Sequence, residues 1–400
     1  MHLMLRNTGR GFRRAAAAAV LACLAASPAL AQSDTPAEAP AEIEELAEQL
    51  STYVFPKAGP YTPEAIVIGN ARQIEGWARS AHADASAEAF AHWNAEGEIP
   101  GTCAVCHSGA GFRAFHGLDG STPGPLESPI PVGGVVDCET CHSRGLAEID
   151  MIALPSGVQH PAEAAEVPCL TCHTGRSSGA QVTAATADMD PDAVNAELRF
   201  INPHYKVAGA TWLGGYGGIG YHYPGKTYSG RFLHAKPVAT CLACHDPHAL
   251  SVNEAVCLTC HQTGTPEEIR IARQSYDGSG DTAKGIAADI MANAGLLMDQ
   301  MTSYAASVAG IGMVYDGGRY PYFFADANMD GVIDEAEGRP VAYNGWTPTL
   351  LRAAYNWKVV TADPGIHVHN APYALELLYD SIESLAEAQG ADFGALGLLR

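Results

Sequence analysis

Basic charge is scarce in this chain. Only 23 of its 400 residues are Lys or Arg, against 44 Asp and Glu, giving a net charge of −21 at pH 7. Such a surface repels phosphate backbones and anionic lipid headgroups, which argues against nucleic acid and acidic membranes as partners. Long apolar runs are missing too. Outside the first 31 residues no stretch approaches the roughly 20 apolar residues a spanning helix needs, so no transmembrane segment is expected. Spare cysteine is lacking as well. Ten of the 11 cysteines fall in one recurring motif, and the eleventh, Cys23, lies near the N-terminus. No disulfide framework is therefore available.

The recurring motif is Cys-x-x-Cys-His. It reads Cys103-Ala-Val-Cys106-His107, Cys138-Glu-Thr-Cys141-His142, Cys169-Leu-Thr-Cys172-His173, Cys241-Leu-Ala-Cys244-His245 and Cys257-Leu-Thr-Cys260-His261. Chance supplies roughly 0.01 copies in a chain of this composition. The spacing suits c-type haem attachment, in which two thiols bond the porphyrin and the adjoining His lies beneath the iron. Zinc sites pair one Cys-x-x-Cys with a second pair or a distant His couple, and have no need of His directly after each pair. Five covalently bound haem c groups are the expectation, with His107, His142, His173, His245 and His261 as proximal ligands. First-cysteine intervals of 35, 31, 72 and 16 residues exclude a strict repeat. The shortest interval implies two haems packed close together.

Residues 1–31 read as a signal peptide. Arg6, Arg10, Arg13 and Arg14 form a basic n-region, Ala15 to Leu24 an apolar core, and Ala29-Leu30-Ala31 a small-residue cleavage site. Leucine before Ala22 fits a lipoprotein site at Cys23 poorly. Export is expected, with the periplasm as the default and an extracellular or outer-membrane-associated destination as alternatives. All four leader charges are Arg, so 19 basic residues then face 44 acidic ones, a net charge of −25. That charge would steer the chain toward basic faces on redox partners.

The expected fold is mainly α, with little regular secondary structure around a covalent multihaem core and a helical C-terminal region. Residues 32–76 hold an acidic Pro/Ala-rich linker and a short helix bearing Ile43, Leu46 and Leu50. Residues 77–265 form the pentahaem domain, with short helices cut by Gly and Pro. Residues 266–400 carry the C-terminal helices. One is expected from about Asp281 to Ile311, with Leu297, Met301, Tyr304, Val308 and Ile311 on one face. A second starts at Thr347-Pro348 and runs through Lys358. A third is capped by Asn370, with Leu375, Leu378, Ile382 and Leu385 as its stripe. Met298 and Met301 could ligate iron, but methionine in such a stripe is normally core.

The sixth iron position decides between electron carriage and chemistry. Ten further histidines are available: 82, 92, 116, 160, 204, 222, 234, 248, 367 and 369. His82 follows Trp77 on an expected helix, and His92, ten residues on, faces elsewhere. His248 is too near His245 to reach the opposite face of the same haem and would serve a neighbour. His367 and His369 alternate along an expected extended segment, and His369, beside Asn370, is preferred.

The segments WARSAHADASAEAF, NPHY, CHDPH and HVHNAPYALELL are similar to those carrying distal histidines in exported multihaem cytochromes c. The likeness spans roughly residues 77–385. It implies His82, His204, His234, His248 and His369 as the distal ligands, with His92, His116, His160, His222 and His367 in reserve. Which distal His serves which haem stays open.

Residues 326–337 fit a twelve-residue EF-hand loop. Asp326, Asn328, Asp330 and Asp334 supply side-chain oxygens at positions 1, 3, 5 and 9, Gly331 permits the turn, Val332 offers its carbonyl and Glu337 closes. One Ca2+ bracing the connection to His369 is expected, although Pro340 and the preceding aromatics spoil a full helix-loop-helix hand.

Two functions follow. The first is an electron carrier with five bis-histidine haems, working between a quinol-linked donor and a terminal reductase or extracellular acceptor. Nothing in the sequence separates a monomer from a homo-oligomer or filament. The second is a reductase of a small nitrogen or sulfur oxyanion with one open iron. Five haems, a calcium site and a helical C-terminal part resemble pentahaem ammonia-forming nitrite reductase. That family usually carries its catalytic haem on Cys-x-x-Cys-Lys, and all five motifs here end in His. Under this second reading His222 or His116 would be the proton donor.

Overall fold

A computed structural model of the chain describes residues 63–236 and 238–400. The leader, the linker and the helix expected around Ile43, Leu46 and Leu50 lie outside the described residues. The architecture that follows is that of the compact unit Arg72–Arg400, together with the helix whose second half lies in it.

The fold is mainly α, with short strands that pair only two at a time. Helix α1 (Pro63–Ala78) ends where the Trp77 indole donates to the Val136 carbonyl at 2.8 Å. His82 therefore does not ride on this helix. Its carbonyl accepts from the Val136 amide at 3.1 Å, which holds it in the turn beyond the helix end. There follow α2 (Glu88–Ala91), β1 (Glu98–Ile99), α3 (Gly101–His107), α4 (Gly109–Phe115), β2 (Ile130–Pro131) and α5 (Cys138–His142). Because α2 is a separate short helix, the expected ten-residue rotation from His82 to His92 does not apply.

Next come β3 (Met151–Ala153), β4 (Gln159–Pro161), α6 (Val167–His173), α7 (Gly179–Ala185) and α8 (Ala208–Gly217), the last kinked at Gly214. Then follow α9 (Cys241–Cys244), β5 (His245–Asp246), β6 (Ser251–Val252) and α10 (Glu254–His261). Four of the motifs thus lie wholly on short helices, and the fourth leaves its helix at His245. Helical pitch sets cysteines three apart on one face with the His one residue further, as the chemistry needs. β1 pairs antiparallel with β2, β3 with β4 and β5 with β6. The apolar core among these elements is small: Phe112, Leu146, Ile152, Leu154, Val167, Leu170 and Leu213.

The larger core belongs to α11 (Ile286–Ser307), α12 (Pro348–Thr361) and α14 (Ala371–Ala388). Leu297, Met301, Tyr304, Leu350, Leu351, Leu378, Ile382 and Leu385 are all fully buried. Each such leucine or isoleucine is worth about 1.5–3 kcal/mol against exposure. Met301 is core, as its place in the stripe predicts. Thr347 caps α12 by accepting from the Leu350 amide at 3.1 Å, and Asn370 caps α14 by accepting from Tyr373 at 3.3 Å. Helix α11 is shorter than expected. Residues 281–285 are held outside it by the Asp281 carboxylate, which accepts from Ala283, and by Lys284, which pairs with Asp277; Gly310, at φ +73°, turns the chain after it.

Between α11 and α12, β7 (Gly312–Tyr315) pairs with β8 (Phe323–Asp326), and β9 (Glu335–Ala336) with β10 (Arg339–Pro340). Between α12 and α14 the chain forms α13 (Ile366–His369), a single helical turn rather than the expected extended segment. Asp363 starts it by accepting from Gly365 at 3.0 Å, and His369 donates to the Gly365 carbonyl at 3.0 Å. Two residues along a helix rotate by about 200°, so His367 and His369 still point to opposite sides.

Candidate metal centres

Each motif histidine faces one histidine from elsewhere in the chain. Ring centres lie 5.8 Å apart for His107 and His204, and 6.1 Å for His142 and His248. They lie 6.4 Å apart for His173 and His82, 6.2 Å for His245 and His369, and 6.1 Å for His261 and His234. Direct ring stacking is closer than this. A metal held between two imidazoles, with bonds of about 2 Å and about 1.1 Å from each nitrogen to its ring centre, gives about 6.2 Å. The five pairs therefore fit an iron between them, and the paired cysteines stand at the same helices. Among the described residues no group of three or more His, Cys, Asp or Glu gathers as a zinc site requires.

Backbone and carboxylate acceptors fix the imidazoles. Nδ1 of His107 donates to the Ala89 carbonyl and Nδ1 of His173 to the Lys206 carbonyl, both at 2.7 Å. His369 Nδ1 donates to the buried Asp363 carboxylate at 2.8 Å, and Thr211 holds the same carboxylate from the other side. In each case Nε2 is left for the metal, the usual way a second partner sets the ligating tautomer. Gly365 makes room: a Cβ there would lie 2.8 Å from Cε1 of His369. His204 is delivered at φ +91°, a strained value for a side-chain-bearing residue, and its amide is tied to the Asn202 carboxamide oxygen at 3.0 Å. Asn202 and Asp363 were not visible as site residues in the sequence. The Asp363-Pro364-Gly365 turn just ahead of His369 was the available signal.

Metal-binding imidazole must be neutral, and burial favours that form. Burial lowers His204 to about 4, with His107 and Arg176 adding to it, and also lowers His82, His107 and His245. His369 is the exception. Burial pushes it down, but the Asp363 carboxylate outweighs that and leaves it raised.

Three of the reserve histidines are engaged otherwise, whereas neither ring nitrogen of the buried His160 has a hydrogen-bond partner. His92 pairs with Glu88 at 2.7 Å, His116 with the Thr171 hydroxyl at 3.0 Å, and His222 with the Tyr373 hydroxyl at 2.9 Å. His160 is buried against Tyr216, and His367 has a buried Nε2 without a hydrogen-bond partner.

Cysteines of different sites also come close. Cys106 lies within hydrogen-bonding reach of Cys172, and Cys169 of Cys241. Cys106 Sγ is 3.6 Å from the Thr171 carbonyl. The third motif thus touches both the first and the fourth, contacts that the spacing along the chain does not announce.

In the 326–337 loop, Asp326 accepts from the Asp330 and Gly331 amides at 3.0 and 2.9 Å. Asn328 accepts from Asp330 at 3.1 Å, Asp330 from Val332 at 2.9 Å, and Asp334 from Ala327 at 2.7 Å. These bonds are local turns; the three aspartates do not gather into a metal-holding group, as no three His, Cys, Asp or Glu do among the described residues. Glu337 does not join them through an exit helix: it occupies the exposed turn between β9 and β10, at φ +54°.

A mainly α chain with cysteine-bearing short helices and facing imidazoles has the parts of a multihaem c-type cytochrome, and comparison with known proteins supports that class. The chain is 27% identical over 373 residues to the C-type polyheme cytochrome OmcB of Geobacter sulfurreducens, in two strains, covering 75% of this chain and 46% of the relative. It is 25% identical over 378 residues to the C-type polyheme cytochrome OmcC of the same organism, covering 80% and 47%. The chain spans about half the length of these curated relatives. No family model matches it, and no solved structure does.

Proposed function

We propose that the chain is an exported electron carrier with five haem c groups, each held by two cysteines and two axial histidines. The pairs are His107 with His204, His142 with His248, His173 with His82, His245 with His369, and His261 with His234. Haem c, when bound, supplies a one-electron iron couple. The protein attaches it, fills both axial positions and sets the polarity around it. The observation that carries this reading is the common spacing of 5.8–6.4 Å in all five imidazole pairs. No proximal histidine is left without a facing partner, which favours carriage over chemistry at an open iron. Residues 77–265 would form the haem domain, and residues 266–400 would deliver His369 to it.

The net negative charge suits docking on basic faces of a quinol-linked donor and of a terminal reductase or extracellular acceptor. A Ca2+ at Asp326, Asn328, Asp330, Asp334 and the Val332 carbonyl would brace the β8–β9 connection. The experiment is intact mass of the purified holoprotein with redox titration of His→Met variants. The mass should exceed the processed chain by five haems. Substituting any one of His82, His204, His234, His248 or His369 should raise one midpoint potential in five, while substituting His92 or His116 should raise none. Fewer than five haems, or unchanged potentials in the first set, would sink the proposal.

A further inference from the structure

Lys358 lies on the buried side of α12, with only 8% of its surface exposed. Its Nζ donates to the Tyr315 hydroxyl at 3.0 Å, and no carboxylate lies within ion-pairing distance among the described residues. The rings of Tyr205, Tyr315 and Tyr322 stand 5.6, 5.6 and 5.4 Å from it. The rings of Tyr205 and Tyr322 and the Tyr315 hydroxyl offset part of the desolvation cost of an ammonium, but a buried cation without an anion remains expensive. An ammonium also has three N–H donors, and only one is used here. The rings of Tyr205 and Tyr322 both flank this ammonium, and their hydroxyls meet each other. Donors and positive charge therefore converge where no anion of the protein sits.

The cage adjoins the first metal centre. The Tyr205 ring is 4.8 Å from that of His204, which faces His107. The Lys206 amide donates to the Ala362 carbonyl at 2.9 Å, tying this segment to the residue after α12. We propose that Lys358, with the hydroxyls of Tyr205, Tyr315 and Tyr322, is an oxyanion-receiving site beside the His107–His204 pair, taking a carboxylate or a small oxyanion of similar size. Two sources carry that chemistry: a propionate of the haem at the first centre, which rests on the haem reading above, or a free oxyanion from solution.

The test uses the holoprotein and the variants Lys358→Gln, Lys358→Arg and Tyr322→Phe, read by redox titration and by calorimetric titration with nitrite and with sulfate. If a propionate occupies the site, Lys358→Gln lowers one midpoint potential in five, Lys358→Arg restores it, and neither anion releases heat. If a free oxyanion occupies it, the wild type binds one equivalent and Lys358→Gln weakens binding at least tenfold. Tyr322→Phe keeps the ring face and removes the hydroxyl, so it should weaken whichever effect is seen and should fold where Lys358→Gln does not. Unchanged potentials together with no anion binding in the wild type would overturn the proposal and leave the ammonium held by the Tyr315 hydroxyl and the neighbouring rings. Intact mass separates the two readings: a missing haem at Cys103 and Cys106 defeats the haem assignment and leaves the anion site to the calorimetry.

Discussion

His142 and His248 face each other across 6.1 Å with their planes only 12° apart, whereas His107 and His204 are almost perpendicular at 88°. Imidazole orientation splits the iron d orbitals. Parallel planes separate the two π-type orbitals, and perpendicular planes leave them nearly equal in energy. The oxidised holoprotein should therefore show at least two kinds of low-spin EPR signal, one rhombic and one with a very large maximal g value. Replacing His248 by Ala should reduce the rhombic component, which the pairs tilted by 32° and 41° also feed, and replacing His204 by Ala should reduce the other. A single signal type across all haems would contradict these pairings.

Asp363 should act through His369. Its buried carboxylate accepts a hydrogen bond from Nδ1 and would make the imidazole a stronger donor to a metal. Loss of such a partner typically weakens metal binding about 10–100-fold. Asp363→Asn should raise one midpoint potential and speed displacement of His369 by imidazole or cyanide, leaving four haems as they were. No change in any potential would reduce Asp363 to a cap for α13.

The 326–337 loop offers a calcium prediction with internal contrast. Asp326, Asn328, Asp330 and Asp334 accept from the loop's own amides, while Glu337 sits in a hairpin turn. Chelator-treated holoprotein should gain thermal stability when Ca2+ is added. Asp326→Ala should abolish the gain, and Glu337→Gln should only reduce it. Equal loss in both variants would mean the hairpin rearranges to bring Glu337 in.

Acid should weaken the start of α11 in a defined direction. Burial pushes Asp277 up, but Lys284 and the hydroxyls of Ser275 and Ser279 hold it well below the usual carboxylate range. The unfolded chain titrates at the ordinary value, so this stabilisation is complete above about pH 4 and disappears as pH falls through the lower, folded value. Asp277→Asn should therefore destabilise the protein at pH 7 by something on the order of 1 kcal/mol. Denaturant unfolding should show the gap between variant and wild type closing at strongly acidic pH. A gap that widens in acid would reverse the assignment.

Local chemistry made much of this legible in the sequence. The attachment motifs depend on neighbours within five residues. Thr347 and Asn370 announce their helices because a cap lies beside the helix it serves. Geometry set by distant partners was not legible. The Val136 amide, 54 residues away, takes His82 out of its expected helix, and Asp363 with Gly365 coils the His367–His369 segment. The pairing of His82 with His173, or of His142 with His248, joins residues about a hundred positions apart. Lys358 and its three tyrosines come from three separate segments, so no window of sequence contains the cage.

Carbon monoxide binding to the dithionite-reduced holoprotein tests the central claim most directly, with haem counted on the same sample as the pyridine complex. Under the proposed pairing, histidine on both faces of five irons would leave no site for the gas. The account predicts five haems per chain and an unchanged Soret spectrum under carbon monoxide. A shift amounting to about one haem in five would contradict it, exposing an open iron where this structure places a facing histidine.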